Sequence, residues 1–499
     1  FTYTATTIGF GELPHNFSIA QRWWIIASIY LSVVGWAYTV ARMISLLQDS
    51  AFNAAYAAQS VKRTISHIRE PFTIIVGYGY IGRTVARSLD ALGRRIVVLD
   101  SQSAPIERLA TDMLQQEPPG ICADARNPAV LGLAGLDHPD CEAILALTGD
   151  EQANLQILMT CSLLRPELSV IARASSRRVA MEMSDFSPTT VINPYEDFGA
   201  RLVLALKRPQ TYRLITWLTA ADGTPLPAVP PTTGLRSDRW LVVGDDDFGP
   251  EISRHLTLAG YEVVVATPDD DHDFTEVGAV IAGSSSDMEN LALAAHLRHT
   301  HPDIFIVVRQ QSHAQLPLLQ AFCPDSIFFP PQLVSQRAVI NLITPYLWEF
   351  VESTMKASEQ FSADLTTRLV ERCGDGSPVP ARLTIDEHNA PTVVRWLRHR
   401  PLKLGALLRS PQDWTTTIAA FPLLLIRDGK AITLPDDDID VALNDVLVMV
   451  GTSLAFNEQC ECLYDDSTLF YTATGHDIPT SRLWRRLTGQ RWKDAFPSD

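Results

Sequence analysis

Hydrophobic and polar positions along the chain change rhythm several times, and each change predicts an element boundary. Residues 23–41, WWIIASIYLSVVGWAYTVA, hold no charge and, continued to residue 47, are long enough to cross a bilayer core as one helix. Trp23, Trp24 and Tyr30 lie toward one end, where amphipathic rings favour the headgroup level. Gly35, inside the run, reads either as a packing position or as a hinge. A stretch rich in Ala, Gln and Ser follows and predicts a connector. Short apolar runs then alternate with helical patterns, at residues 72–76, 95–100, 143–148 and 170–174, which is the rhythm of a parallel sheet covered by helices. Residues 423–430 and 445–451 predict two further strands around residues 434–438.

The middle of the chain repeats itself. Residues 243–249, VGDDDFG, align with residues 76–82, VGYGYIG, at an offset of 167, whereas Asn290 aligns with Asn154 and Arg309 with Arg173 at 136. The offsets differ by 31 residues, so the second copy lacks about one βα unit, including any counterpart of Asp124. Residues 219–237, rich in Pro, Gly and Thr, read as a linker. At 499 residues the chain is too long for one core. The expected fold class is α/β: a membrane segment at 1–50, a connector at 51–71, a Rossmann-like domain at 72–218, the linker, a degenerate second Rossmann-like domain at 238–355, a small α+β subdomain at 356–460 and a tail at 461–499.

Charge narrows the class of partner. Against 57 Asp and Glu stand 41 Lys and Arg, and the net charge of −16 repels polyanions, so no nucleic-acid partner is expected. Arg42, Lys62, Arg63 and Arg69 follow the apolar run, which marks that side as cytoplasmic and the large remainder as intracellular. The seven cysteines form no C-x-x-C pair and read as cytosolic thiols; Cys460 and Cys462 would share a face if extended. The chain opens at Phe1 with a motif already under way, which reads as a piece of a longer protein.

The first copy carries the clearest candidate chemistry. Gly77, Gly79 and Gly82 form G-x-G-x-x-G between a strand and a helix, with Asp100 18 positions beyond the last glycine. Gly77 would make the turn, Gly79 would let a pyrophosphate approach the backbone of Tyr78, Tyr80 and Ile81, and Gly82 would allow close helix packing, with the phosphate at a helix N-terminus. Asp100, with Ser101 beside it, would accept hydrogen bonds from ribose hydroxyls. That favours NAD or an adenine nucleotide (ATP or ADP) over a 2′-phosphorylated one. In the second copy Asp246 replaces Gly79 and Thr267 replaces Asp100, so no dinucleotide is expected there. Its aspartates gather after two adjoining strands. Asp246, Asp247 and Asp270 are candidate ligands for Ca2+ or Mg2+, the alternative being a solvated acidic rim.

Residues 6–12, TTIGFGE, resemble the potassium-channel selectivity filter, usually written T-V-G-Y-G. The resemblance implies that Thr7, Ile8, Gly9, Phe10 and Gly11 present oxygens to a permeant K+, with Phe10 in place of the common Tyr, and that residues 1–5 end a pore helix. Residues 122–128, 143–154 and 170–174 resemble the RCK domain, the regulator of potassium conductance also found in Trk-type uptake regulators. In that family the positions of Asp124 and Thr148, with Ala125 and Gly149 beside them, lie near bound nucleotide. The order of filter, inner helix and two regulatory domains implies a ligand-gated potassium channel of a bacterial inner membrane. It would be a homotetramer whose eight RCK domains form a gating ring. A membrane-anchored, nucleotide-sensing regulatory subunit of a potassium transporter is the alternative. An NAD-dependent oxidoreductase is not expected, because the first Rossmann unit is followed by a degenerate copy of itself rather than by a substrate domain.

Overall fold

A computed structural model of the protein describes residues 17–48, 63–186, 190–229, 237–270, 273–322 and 324–476. The filter-like residues Thr7, Ile8, Gly9, Phe10 and Gly11 lie outside them. Helix α1 (Ile19–Gln48) runs unbroken through Gly35, whose carbonyl accepts from Thr39 Oγ1 at 2.7 Å. Its segment Ile19–Ser45, whose most apolar 18-residue stretch has a mean hydropathy of 1.6, is long and apolar enough to cross a membrane by length and composition. Trp23, Trp24, Leu31 and Trp36 are all exposed, so the rest of the described chain leaves this apolar surface uncovered.

The first sheet has the order β3-β2-β1-β4-β5-β6, all parallel, from β1 (Phe72–Val76), β2 (Arg95–Asp100), β3 (Gly120–Cys122), β4 (Cys141–Ala146), β5 (Ser169–Arg173) and β6 (Thr190–Ile192). Helices α2 (Tyr80–Ala91), α3 (Ser103–Thr111), α4 (Pro128–Leu133), α5 (Glu151–Leu164) and α6 (Arg177–Ser184) connect the strands. All five residues of β1, four apolar and the fifth Thr73, are buried, as a strand in a sheet covered on both faces requires. Ile65, just before β1, packs into the same core.

After α7 (Pro194–Lys207) and α8 (Pro209–Leu218) comes a second parallel sheet, ordered β11-β10-β9-β7-β8. Its strands are β7 (Arg239–Val243), β8 (Glu262–Ala266), β9 (Ala279–Ala282), β10 (Phe305–Arg309) and β11 (Ser326–Phe328), with helices α9 (Phe248–Leu258), α10 (Asp287–Thr300) and α11 (Leu316–Ala321). Among the described residues no strand lies outside β8 as β3 lies outside β2, so β8 is an edge, with Val264 and Val265 exposed.

The two sheets are tied by an exchange of helices that the sequence pattern does not announce. The first half's α7 contributes Tyr195, Phe198 and Leu202 to the core of the second sheet, where Phe198 stacks on Phe328 with centroids 4.0 Å apart. Reciprocally, α12 (Pro330–Ile343) places Val334 and Ala338 against Ile75, Ile81 and Val85 of the first. Both crossover helices end alike. Arg208 before Pro209 and Thr344 before Pro345 take nearly the same non-helical conformation (φ −142°, ψ 69° and φ −137°, ψ 68°) before α8 and α13 (Pro345–Lys356) begin.

The remaining unit opens with α14 (Glu359–Cys373) and holds an antiparallel sheet β12-β17-β14-β15, from β12 (Val379–Thr384), β14 (Ala420–Arg427), β15 (Lys430–Thr433) and β17 (Val446–Gly451). Beside it pair β13 (Leu402–Lys403) and β16 (Asp440–Val441). Three expectations are corrected here. The boundary at residue 460 falls inside a helix: α15 (Pro391–Leu397) packs with α16 (Ser453–Tyr464) and α17 (Asp466–Thr474), and Leu463 and Leu469 complete the core. Because α16 is helical, Cys460 is exposed while Cys462 is buried, and the two share no face. The start of the expected linker is held down, since Gly223 N–H donates to Ser377 O at 3.0 Å and Leu226 N–H to Asp375 O at 2.9 Å.

Candidate functional site

At the carboxyl ends of β1, β2, β4 and β5 lies a cavity of about 530 Å3, at the position where doubly wound sheets bind their ligands. The glycine turn shapes one wall. Gly77 has φ +92°, and a Cβ there would sit 3.0 Å from Thr148 Cα, so both backbone and space demand glycine. At Gly82 a Cβ would come 1.9 Å from the Gly77 carbonyl, which fixes its role as close packing of α2 on the turn. Gly79 is the N-cap of α2, brings no side chain to it, and a Cβ there would meet only open space. The first N–H groups of α2, which lack intrahelical acceptors, therefore border the cavity without a capping side chain.

Asp100 ends β2 with its carboxylate held by two backbone donors: Tyr78 N–H to Oδ2 at 2.7 Å and Gln102 N–H to Oδ1 at 2.9 Å. Thr148 and Gly149 follow β4, and the Thr148 hydroxyl donates to the Asp150 carbonyl at 2.9 Å. Asp150 caps α5 by accepting from Gln152 and Ala153 N–H, so this second helix end is satisfied internally whereas that of α2 is not. Asp124 pairs with Arg126 at 2.7 Å, and that contact holds its carboxyl below the usual range.

Of the twelve residues expected here, ten line the cavity: Gly77, Gly79, Tyr80, Ile81, Asp100, Ser101, Asp124, Ala125, Thr148 and Gly149. Gly82 stands behind the wall. Tyr78 turns the other way: it is buried, and its hydroxyl donates to Asp112 at 3.0 Å, beside the Arg83–Asp112 ion pair. Burial, first, and then Asp112 raise the Tyr78 pKa. Sequence reasoning missed Arg126, Arg173 and Pro331, which also border the cavity. Arg126 was legible two residues from Asp124, and Arg173 as the arginine that recurs at Arg309. Pro331 had no local signal, because it belongs to α12 of the other half.

The second sheet does not assemble the expected metal site. Asp246 is bound to Arg309 (2.8 Å) and accepts from Phe248 N–H at 3.0 Å; Asp270 accepts from Thr267 N–H and Oγ1; and Asp247 stands exposed at the start of α9. The strand ends do adjoin, but the carboxylates face separate partners, so Asp246, Asp247 and Asp270 form no common ligand set. Among the described residues the one grouping with ligand spacing is Glu196, Glu251 and His255, between α7 and α9. There Arg254 already occupies Glu251 and lies 2.9 Å from His255 Nε2.

This geometry defines a class: a Rossmann-type domain with an open glycine turn. Residues 73–194 match the TrkA-N domain family. The chain is homologous to archaeal potassium-channel proteins: it is 22% identical over 222 residues to potassium channel protein 1 of Methanocaldococcus jannaschii, a match covering 44% of this chain and 64% of that protein. A probable potassium channel protein 2 of the same organism is 21% identical over 211 residues, 41% of this chain and 59% of that one. A protein of Methanothermus fervidus is 26% identical over 209 residues, 41% of this chain and 31% of that one. The chain thus spans less than two-thirds of each of these relatives. Among solved structures, the GsuK channel bound to NAD is 14% identical with a TM-score of 0.45, covering 91% of this chain and 90% of that one.

Proposed function

We propose that the chain is a subunit of a potassium-selective channel, opened or closed by NAD or an adenine nucleotide in the cavity of its first RCK-type domain. The observation that carries the reading is the cavity itself: an uncapped helix N-terminus and an oriented Asp100, in a domain that matches the TrkA-N family and follows an uncovered apolar helix. The fit is chemical as well as spatial. The α2 N-terminus suits a phosphate and the Asp100 carboxylate suits ribose hydroxyls, while Gly79 leaves the approach open.

In this reading Thr7, Ile8, Gly9, Phe10 and Gly11 line the K+ path, and α1 is the inner helix of a bacterial cell membrane. The domains from residue 72 onward are cytoplasmic. Homology to named potassium-channel proteins supports it. Four chains would place eight RCK-type domains in one ring, and nucleotide would shift the pore by its unequal affinity for two ring arrangements. The cavity's carboxylates are engaged by backbone donors or by Arg126, so we assign it a regulatory role and no catalytic residue.

The test is potassium flux in liposomes holding the protein with its complete pore module, with and without NAD(H), ATP or ADP. Nucleotide-dependent flux that is lost in Gly79→Val, whose side chain would fill the approach, is the expected result. Verified insertion without flux under any nucleotide, with a separate transporter co-purifying, would overturn it in favour of a regulatory subunit.

A further inference from the structure

The duplicated halves place one chemistry in two settings. Asn154 and Asn290 are both buried and make the same three bonds. Asn154 Oδ1 accepts from Thr148 N–H (3.1 Å), while its amide donates to Thr148 O (3.1 Å) and Arg173 O (2.9 Å). Asn290 does the same with Ser284 N–H (2.8 Å), Ser284 O (2.8 Å) and Arg309 O (3.0 Å). Arg173 and Arg309 therefore leave equivalent strand ends from equivalent backbones. What their side chains meet differs.

Arg309 is buried, and both of its terminal nitrogens are engaged, whereas its Nε, like that of Arg173, has no partner among the described residues. It holds both oxygens of Asp246 (2.9 and 2.8 Å), the Gly283 carbonyl (3.0 Å) and the Tyr195 hydroxyl (2.7 Å). The same Asp246 carboxylate accepts from Phe248 N–H at the first turn of α9. One carboxylate thus receives both a guanidinium and a helix N-terminus, two donors typical of phosphate binding. In the first half neither donor has a protein partner of this kind. Gly79, at the position of Asp246, brings no cap to α2, and the Arg173 guanidinium makes no hydrogen bond or ion pair among the described residues, with its Nε buried. Burial pulls its pKa below the ordinary arginine value, with Arg309 adding to the effect and Glu151 opposing it. Glu151 itself is bonded to Ser175 and Ser176. The crossover helices complete the contrast: Tyr195 fills the second site, and its counterpart Pro331 borders the first without filling it.

The geometry points to Asp246 as a built-in substitute for a ligand's phosphate, which makes Arg173 the phosphate-binding residue of the first cavity and the second domain a permanently charge-satisfied, nucleotide-independent partner. The inference rests on the first cavity being a nucleotide site, and its test separates the two. In the full chain in detergent, Arg173→Gln is expected to weaken ADP binding at least tenfold while leaving adenosine affinity unchanged, which a merely structural role would not do; Arg173→Lys should recover part of the loss. Gly79→Asp is expected to abolish ADP binding yet raise the ligand-free melting temperature above that of Gly79→Asn. That rise should vanish when Arg173→Gln is added. Equal loss of ADP and adenosine in Arg173→Gln, or no difference between the Asp and Asn variants, overturns the inference. Were the wild type to bind neither ADP nor NAD, the nucleotide reading would fall, and the Asp–Asn comparison would still decide whether a carboxylate at position 79 satisfies Arg173.

Discussion

Gly77 and Gly82 are the residues whose demands are easiest to state. Gly77→Ala forces a side chain into φ +92° against Thr148, and a cost of about 1–3 kcal/mol is expected from chemical denaturation. Gly82→Ala puts a methyl on the Gly77 carbonyl and should distort the turn further. The matched asparagines give a paired expectation. Asn154→Ala and Asn290→Ala should each cost about 2–4 kcal/mol by stranding buried backbone groups, and similar values in the two halves would confirm the shared architecture. The glycines and Asp100 were legible because turn chemistry is local: spacing alone places them after a strand. The role of Asp246 was not, because its partner Arg309 lies 63 residues away and only the fold brings a buried cation to it. Proximity of strand ends suggested converging carboxylates. The side chains instead turned to the nearest cation and backbone donors, which removes the repulsion that a metal would otherwise have to offset.

Among elements, the crossover helices decide most. Phe198 of α7 is wedged among Phe248 and Phe328, and Phe198→Ala should cost about 3–5 kcal/mol, felt in the second sheet although the residue belongs to the first half. The same interface has a pH signature. His255 on α9 packs against Gly199 of α7 and faces Glu251, Arg254 and Glu196. Burial, then Arg254, lower its pKa from the ordinary value of about 6.5, so the unfolded chain binds this proton more readily than the folded one. Stability is therefore complete above about pH 6.5 and falls as pH drops toward the depressed folded value. His255→Gln should flatten that part of a melting-temperature profile. Strand and helix types were readable from periodicity, whereas which helix covers which sheet was not: an amphipathic stripe tells that a face is buried and never against what.

For the whole molecule, the exchange makes the two Rossmann-like halves one folding unit. A chain cut at residue 229 keeps α7 but loses its bed on β7–β11 and loses Val334 and Ala338 from the side of β1. Poor solubility of that fragment, against a single cooperative transition of residues 63–476, is the expected outcome. The order of segments was legible from repeats and composition, while the C-terminal unit's extent was not. Its last helices, α16 and α17, follow a short strand with no linker signal and are fixed by packing on Leu407 and Trp396.

Because each half lends a helix to the other, the arrangement is what two separate copies would form by swapping arms, written into one polypeptide. Fusion turns a concentration-dependent encounter into one at the effective concentration of a tethered pair, commonly millimolar for a short flexible tether. The association is then guaranteed at any expression level. Once partnership no longer has to be symmetric, one member is free to give up its ligand and serve as the fixed half against which the other responds.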